Sequence, residues 1–164
     1  METRENILLL GKTGDGKSSF VEYLVRQSGR PLKIQLSSDD ALSFTNKNWL
    51  FSFPNYTIID TPGLDDSQNR TQLFLDRLVE TLHHIKVLHK VIIVQRTQPR
   101  IDANMQENLD IIACMLGKVP VNVLFTGEKT PSFEKWIRSY SEICQKKSLV
   151  FDKWYCACSF FFFK

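Results

Sequence analysis

Cysteine, proline and glycine are scarce in this 164-residue chain, at four, six and seven residues respectively. Cys156 and Cys158 form a C-x-C, but no second pair stands at zinc-ligand spacing, so a cysteine metal centre is not expected. The N-terminal METRENILLL lacks the long apolar stretch and small-residue cleavage site of a signal peptide. Reduced thiols and a cytoplasmic location are the resulting expectation. No apolar run reaches the length needed to cross a bilayer, so membrane association finds no support in the sequence. The formal charge of +3 is mild and no basic block occurs, which argues against nucleic acid as a partner. Repeats, low-complexity linkers and composition shifts are absent too. The length fits one domain spanning residues 1–164, and 43% hydrophobic residues are enough for a real core.

What is present is an alternation of strand-like and helical patterns. Residues 7–10 form a short continuous apolar run, the pattern of a strand buried on both faces. Phe20, Val21, Leu24 and Val25 then repeat at helical spacing. WLFSF and YTIID are two strand-like runs joined by Pro54-Asn55, which predicts a hairpin. Gln68–Ile85 reads as an amphipathic helix with Leu75, Leu78, Val79 and Leu82 on its apolar face. KVIIVQ predicts a buried strand, 104–116 a helix closed by Gly117, and VPVNVLF another strand. Pro131 and Ser132 start a helix that places Phe133, Trp136, Ile137 and Tyr140 on one face, and SLVFDKWYCACS reads as a last strand. The spacing predicts an α/β fold in three layers, with a mostly parallel sheet and one antiparallel strand. Cys114, in an apolar helical run, is expected in the core. Trp49, Trp136 and Trp154 are expected to serve packing. The closing SFFFFK, within an atypical hydrophobic stretch at 155–164, stands where such a fold usually continues into a covering helix. That last helix is expected to be missing. A shortened or alternative ending is one account of the four phenylalanines, and a hydrophobic dock is the other.

Three of the seven glycines fall within six residues, in LLLGKTGDGKSSF. Gly11, Gly16, Lys17 and Ser18 fit G-x-x-x-x-G-K-[ST], the phosphate-binding P-loop, with Thr13, Gly14 and Asp15 in its variable middle. Glycines let the main chain turn sharply and bring its N–H groups close to phosphate oxygens. The helix starting near Lys17 aims its positive dipole end at the same anion. Lys17 would reach the β- and γ-phosphates, the Ser18 hydroxyl would ligate Mg2+, and Ser19 completes the cradle. The motif needs a strand before it and a helix after it, and both are predicted here.

TIIDTPGL places Asp60 at the end of a hydrophobic strand, followed by Thr61, Pro62 and Gly63. A carboxylate there can hold the metal, and the Gly63 N–H can touch a terminal phosphate and sense its presence. P-loop and strand-D-x-x-G together predict a P-loop G domain.

Further stretches resemble the immunity-associated GTPases, the GIMAP or IAN family related to septins. ALSFTNKNW (residues 41–49) resembles their S-V-T-K switch segment and DTPGLDDS their third motif. VIIVQRTQPRIDANMQENLDIIACMLG is similar to their segment after the fourth strand, VNVLFTGEKT to their V-x-F-T-H-G-D-D, and WYCACSF to their R-Y-C-A-F-N-N strand. The resemblance covers nearly the whole chain. It implies guanine nucleotide (GTP or GDP) with Mg2+ as cofactors, Thr45 as the switch threonine meeting metal and γ-phosphate, and pairing into a homodimer through the G-domain face. It also implies that Thr126, Glu128 and Ser159 approach the base. The sequence departs from the family there: TGEKT puts Lys129 where an acid stands, with Glu128 one place early, and Ser159-Phe160 replaces the usual asparagines.

Many small G proteins place glutamine just after D-x-x-G to orient water, and this chain has Leu64. Weak intrinsic hydrolysis is expected. The resemblance implies a basic residue after the fourth strand, and of Arg96 and Arg100 the candidate finger acting across a dimer is Arg100. His83-His84 lies late in a helix, where a cation suits the dipole, and takes no catalytic role. Two functions remain open: a nucleotide-controlled switch with dimer-assisted GTP hydrolysis, and a nucleotide-loaded assembly scaffold that does not turn over. A P-loop phosphotransferase would need an arginine-rich acceptor lid, which is absent from the sequence.

Overall fold

The computed structural model describes residues 4–28, 32–36, 48–64, 68–98, 101, 103–127 and 133–156. Among the described residues the chain forms seven strands and four helices: β1 (Glu5–Leu10), α1 (Lys17–Ser28), β2 (Leu32–Leu36), β3 (Asn48–Ser52), β4 (Tyr56–Asp60), α2 (Gln68–Ile85), β5 (Lys90–Arg96), α3 (Ala103–Leu116), β6 (Val121–Thr126), α4 (Phe133–Lys146) and β7 (Phe151–Cys156). The strands form one sheet in the order β2-β3-β4-β1-β5-β6-β7. β1 pairs in parallel with β4 and β5, and β5-β6 and β6-β7 are parallel too. β3 is antiparallel to both neighbours and is the one reversed strand, as the Pro54-Asn55 turn predicted. β2 was not anticipated: LKIQL, only five residues long, follows the first helix with little signal of its own.

β1 shows why the middle of the sheet reads as continuous apolar sequence. Leu8 and Leu10 face the larger core, with Phe74 and Leu78 of α2, Leu109 and Ile112 of α3, and Trp136 and Tyr140 of α4. Leu9 points the other way, into a cluster with Val21 of α1, Phe53 and Ile58. Helices therefore cover both faces, and successive side chains along the strand are buried in opposite directions. α4 is fixed by aromatic contacts. Phe125 of β6 meets Phe133, Trp136 and Tyr140 edge-on, with ring centroids 5.9, 5.2 and 5.5 Å away, and Trp136 stacks on Tyr140 at 5.3 Å. Each such pair adds about 0.5–1.5 kcal/mol beyond burial.

Four placements correct the sequence reading. Val79 is 46% exposed, so the buried stripe of α2 is narrower than its apolar residues suggested. Cys114 is exposed on α3. Trp154 is 49% exposed on the edge strand β7, while Trp136 alone of the three tryptophans is in the core. Trp49 is half-buried beside the cleft described below. The SFFFFK ending lies outside the described residues.

The chain runs from β1 out to the far edge and returns through β3 and β4, then crosses to β5 on the other side. This reversal flanks β1, and it opens a crevice beyond the carboxyl ends of β1 and β4, where α/β folds carry ligands.

Candidate phosphate-binding site

The loop after β1 and the loop after β4 meet at that crevice. Gly11 leaves β1 with φ 151°, and a Cβ there would lie 2.2 Å from the Val94 carbonyl oxygen of β5. Only glycine lets the loop start so close to the neighbouring strand. At Gly63 a Cβ would lie 2.1 Å from Thr13 Oγ1 and 2.4 Å from the Thr13 amide nitrogen. The two loops thus touch main chain to main chain. Leu64 N–H donates to the Gly11 carbonyl at 3.1 Å, and the Thr61 hydroxyl donates to the Leu9 carbonyl at 2.7 Å.

α1 begins at Lys17, and Phe20 N–H already donates to the Gly16 carbonyl at 2.9 Å. The N–H groups of the first turn therefore face the loop. Lys17 is buried, and its ammonium donates to the carbonyls of Gly11 at 2.9 Å and Lys12 at 3.1 Å. The Ser18 hydroxyl donates to Asp60 Oδ2 at 3.0 Å, joining the start of α1 to the end of β4. Around these groups lies an open cleft of about 620 Å³, lined by Thr13, Gly14, Gly16, Lys17, Ser18, Ser19, Asp60, Thr61, Pro62 and Gly63. Its far wall is apolar, with Val21 and Val25 of α1 against Trp49 and Phe51 of β3. The structure brings together the residues predicted from the first and third motifs.

Asp15 behaves differently from its loop neighbours. It is 5% exposed, and burial raises its carboxyl above the usual range, while N–H groups of Arg96 and Lys12 and the Lys17 charge pull the other way. Its main-chain carbonyl accepts from the Thr126 hydroxyl at 2.7 Å. Thr126, predicted near the base, is itself buried and ties the end of β6 to the phosphate loop. Thr97 N–H donates to the Thr126 carbonyl at 2.8 Å, completing a lattice across the ends of β5 and β6. Tyr140 of α4 is fully buried nearby, and burial holds its hydroxyl well above the usual tyrosine range.

Leu64, at the position of the water-orienting glutamine, turns inward. It is 1% exposed and packs in the large core with Leu8 and Ile93. Thr45, Arg100, Glu128 and Ser159 lie outside the described residues. Sequence reasoning missed the apolar wall formed by Trp49 and Phe51; their position on a strand next to β4 was the available signal. It also missed the inward-turned Asp15, signalled only by a carboxylate inside a loop meant for an anion. Among the described residues, no helix is long and apolar enough to cross a membrane, and no cluster of three His, Cys, Asp or Glu side chains gathers to hold a metal ion.

Comparison with known proteins agrees with this geometry. The chain aligns over 94% of its length with the G domain of the T. maritima FeoB iron transporter, covering 89% of that chain with a TM-score of 0.56 at 19% identity. Era in complex with MgGDPNP and ribosomal RNA aligns over 96% of this chain and 52% of its own, with a TM-score of 0.59 at 16% identity. The fold is that of a P-loop G domain. In sequence, immune-associated nucleotide-binding protein 8 of Arabidopsis thaliana is 30% identical over 127 residues, covering 75% of this chain and 36% of that protein. Protein 10 of the same series is 27% identical over 130 residues, covering 77% of this chain and 28% of that one. The chain thus spans about a third of the length of the curated relatives it matches. The AIG1 family model matches residues 5–151, from the first strand to the start of the last, and the chain belongs to the AIG1 family.

Proposed function

We propose that this chain, as one G domain over residues 1–164, binds guanine nucleotide with Mg2+ and acts as a nucleotide-controlled switch with weak or dimer-assisted GTP hydrolysis. The observation that carries this reading is the convergence of Lys17, Ser18, Asp60 and Gly63 on one cleft. A buried ammonium, the N–H groups of a helix start and a glycine of the facing loop are the partners a polyphosphate needs. The relatives' names speak of nucleotide binding, and the family model's match over residues 5–151 spans both motifs.

The donor set fits magnesium. The Ser18 hydroxyl and Asp60 carboxylate are hard oxygen ligands, 3.0 Å apart, of the kind Mg2+ takes beside phosphate. Bound there, the ion would neutralise charge on the phosphates. Lys17 would leave the loop carbonyls for phosphate oxygens, and the Gly63 N–H would meet a terminal phosphate. Thr45, from its place in the switch segment, would add the remaining metal contact. Glu128 and Ser159 would serve the base, while Thr126 is tied to the phosphate loop through the Asp15 carbonyl. Guanine is chosen over adenine on family membership.

Leu64 cannot orient water from the core, so charge stabilisation must come from another group, and Arg100 supplied across a homodimer is the candidate. The buried Leu64 also favours a second reading, a nucleotide-loaded scaffold without turnover. Calorimetric titration of GTP, GDP and ATP, each with and without Mg2+, tests the first claim: binding of no nucleotide at millimolar concentration refutes it. Turnover at rising protein concentration separates the two readings. A rate per molecule that climbs with concentration, and that Arg100→Ala abolishes, supports the hydrolase. A flat, near-zero rate with intact binding supports the scaffold.

A further inference from the structure

We propose that a second, small cavity beside the phosphate loop is a binding site for one internal water molecule, held by the Tyr140 hydroxyl together with the side-chain amides of Gln95 and Asn108. Its walls come from β5, α3 and α4, and Gly11, Lys12 and Leu64 of the two site loops complete it. The space open to the centre of a water molecule is about 20 Å³. One water needs about 10–15 Å³ by that measure, so the cavity takes one and little else. Lys12 is the one charged residue among those that line it, so no carboxylate is at hand for a cation. The ligand is therefore neutral and small, and its binding does not depend on what the larger cleft holds.

Tyr140 carries the argument. It is 0% exposed, it lines the cavity, and its hydroxyl oxygen has no hydrogen-bond partner among the described residues. A hydroxyl left dry in a core is costly, and a polar cavity of this size is where water relieves that cost. The ring cannot turn to seek another partner, because it stacks on Trp136 with centroids 5.3 Å apart and stands at 82° to Phe125. Gln95, at 8% exposure, lines the same cavity. Its Nε2 donates to the Arg96 carbonyl at 3.0 Å, which leaves Oε1 to accept from the water. Asn108 brings a third polar group from α3. Internal waters make about three hydrogen bonds, and these three side chains can supply them. The water would join β5, α3 and α4 by polar contacts at a point where the aromatic cluster joins only β6 and α4.

Tyr140→Phe removes the hydroxyl and keeps the ring. Oxygen-17 relaxation dispersion of the solvent signal, recorded on the full chain, counts waters held inside the fold, and denaturant titration gives the unfolding equilibrium. The wild type should hold one internal water more than Tyr140→Phe. The variant's unfolding constant should rise about fivefold, the effect of losing about one net hydrogen bond. A dry hydroxyl predicts the reverse: a variant as stable as the wild type or more so, with an unchanged water count, and that result overturns the proposal. A destabilised variant with an unchanged count overturns it too, since the hydroxyl would then bond to protein. If Tyr140→Phe does not fold, a crystal structure of the wild-type chain with ordered water resolved decides the matter. A water within hydrogen-bond distance of the Tyr140 hydroxyl supports the site, and none there overturns it.

Discussion

Gly63→Ala tests whether the two loops form one phosphate-sensing unit. The added methyl would sit 2.4 Å from the Thr13 amide nitrogen and 2.6 Å from its Cα, where ordinary contact starts near 3.4 Å. The obstacle is main chain, so no rotamer change relieves it, and the loops must separate by about 1 Å. Strain of this kind costs about 1–3 kcal/mol of stability. The functional effect is more selective. A hydrogen bond from an N–H to a charged oxygen contributes about 1.5–3 kcal/mol, so losing the proposed Gly63 contact to a terminal phosphate would weaken GTP roughly ten- to hundredfold. GDP has no such phosphate and should weaken only slightly. Calorimetric affinities for GDP and a non-hydrolysable GTP analogue, with a melting curve to confirm folding, read this directly. If the two affinities fall together, or neither changes, Gly63 does not sense the terminal phosphate and the coupling argued from its contact with Thr13 is wrong.

Leu64→Gln will not restore rapid hydrolysis, because the side chain leaves the loop toward the core; burying its amide costs about 1–3 kcal/mol. Turnover should stay at the wild-type level while Tm drops by several degrees, and a tenfold gain in rate would refute the placement. Cys144 is fully buried and burial pushes its thiol up to about 12, whereas Cys114 is exposed. At pH 8 a thiol reagent should label Cys114 and spare Cys144 until the chain unfolds, as peptide mass spectrometry would record. Burial raises the Asp15 carboxyl in the folded state, so the folded chain holds that proton more tightly than the unfolded chain. Its contribution favours folding at acidic pH and is lost as pH rises through the raised value. Asp15→Asn should therefore melt above wild type at pH 7, with the gap closing under acidic conditions; a gap that widens on acidification contradicts the sign.

Most of the fold was legible because its signals are local. The β1 run is apolar throughout since Leu8, Leu9 and Leu10 are buried on both faces, and α2 matched its predicted bounds because eighteen residues give the helical period room to show. The P-loop was legible for a different reason: close approach of main chains admits few residue types, so Gly11 and Gly63 are dictated by contacts with Val94 and Thr13. What failed was tertiary. Val79 and Cys114 sit in apolar helical sequence yet face outward, since no sequence period says where a neighbouring element ends. Leu64 reads as a missing glutamine, but it belongs to the same buried cluster as Leu8 and Ile93, and only the fold brings them together.

The same distinction bears on how the site would work. Phosphate-loop residues are tied to the ends of β4 and β6 by hydrogen bonds: Ser18 to Asp60, and Thr126 to Asp15. Beneath them, Phe125 and Tyr140 join β6 to α4 through large buried rings that cannot shift without opening the core. A ligand that rearranges the loop thus exchanges a few polar contacts worth about 1 kcal/mol each, against a platform whose packing is costly to disturb. Change is cheap at the carboxyl edge of the sheet and expensive below it, which would confine any nucleotide-dependent movement to the loops proposed to hold phosphate.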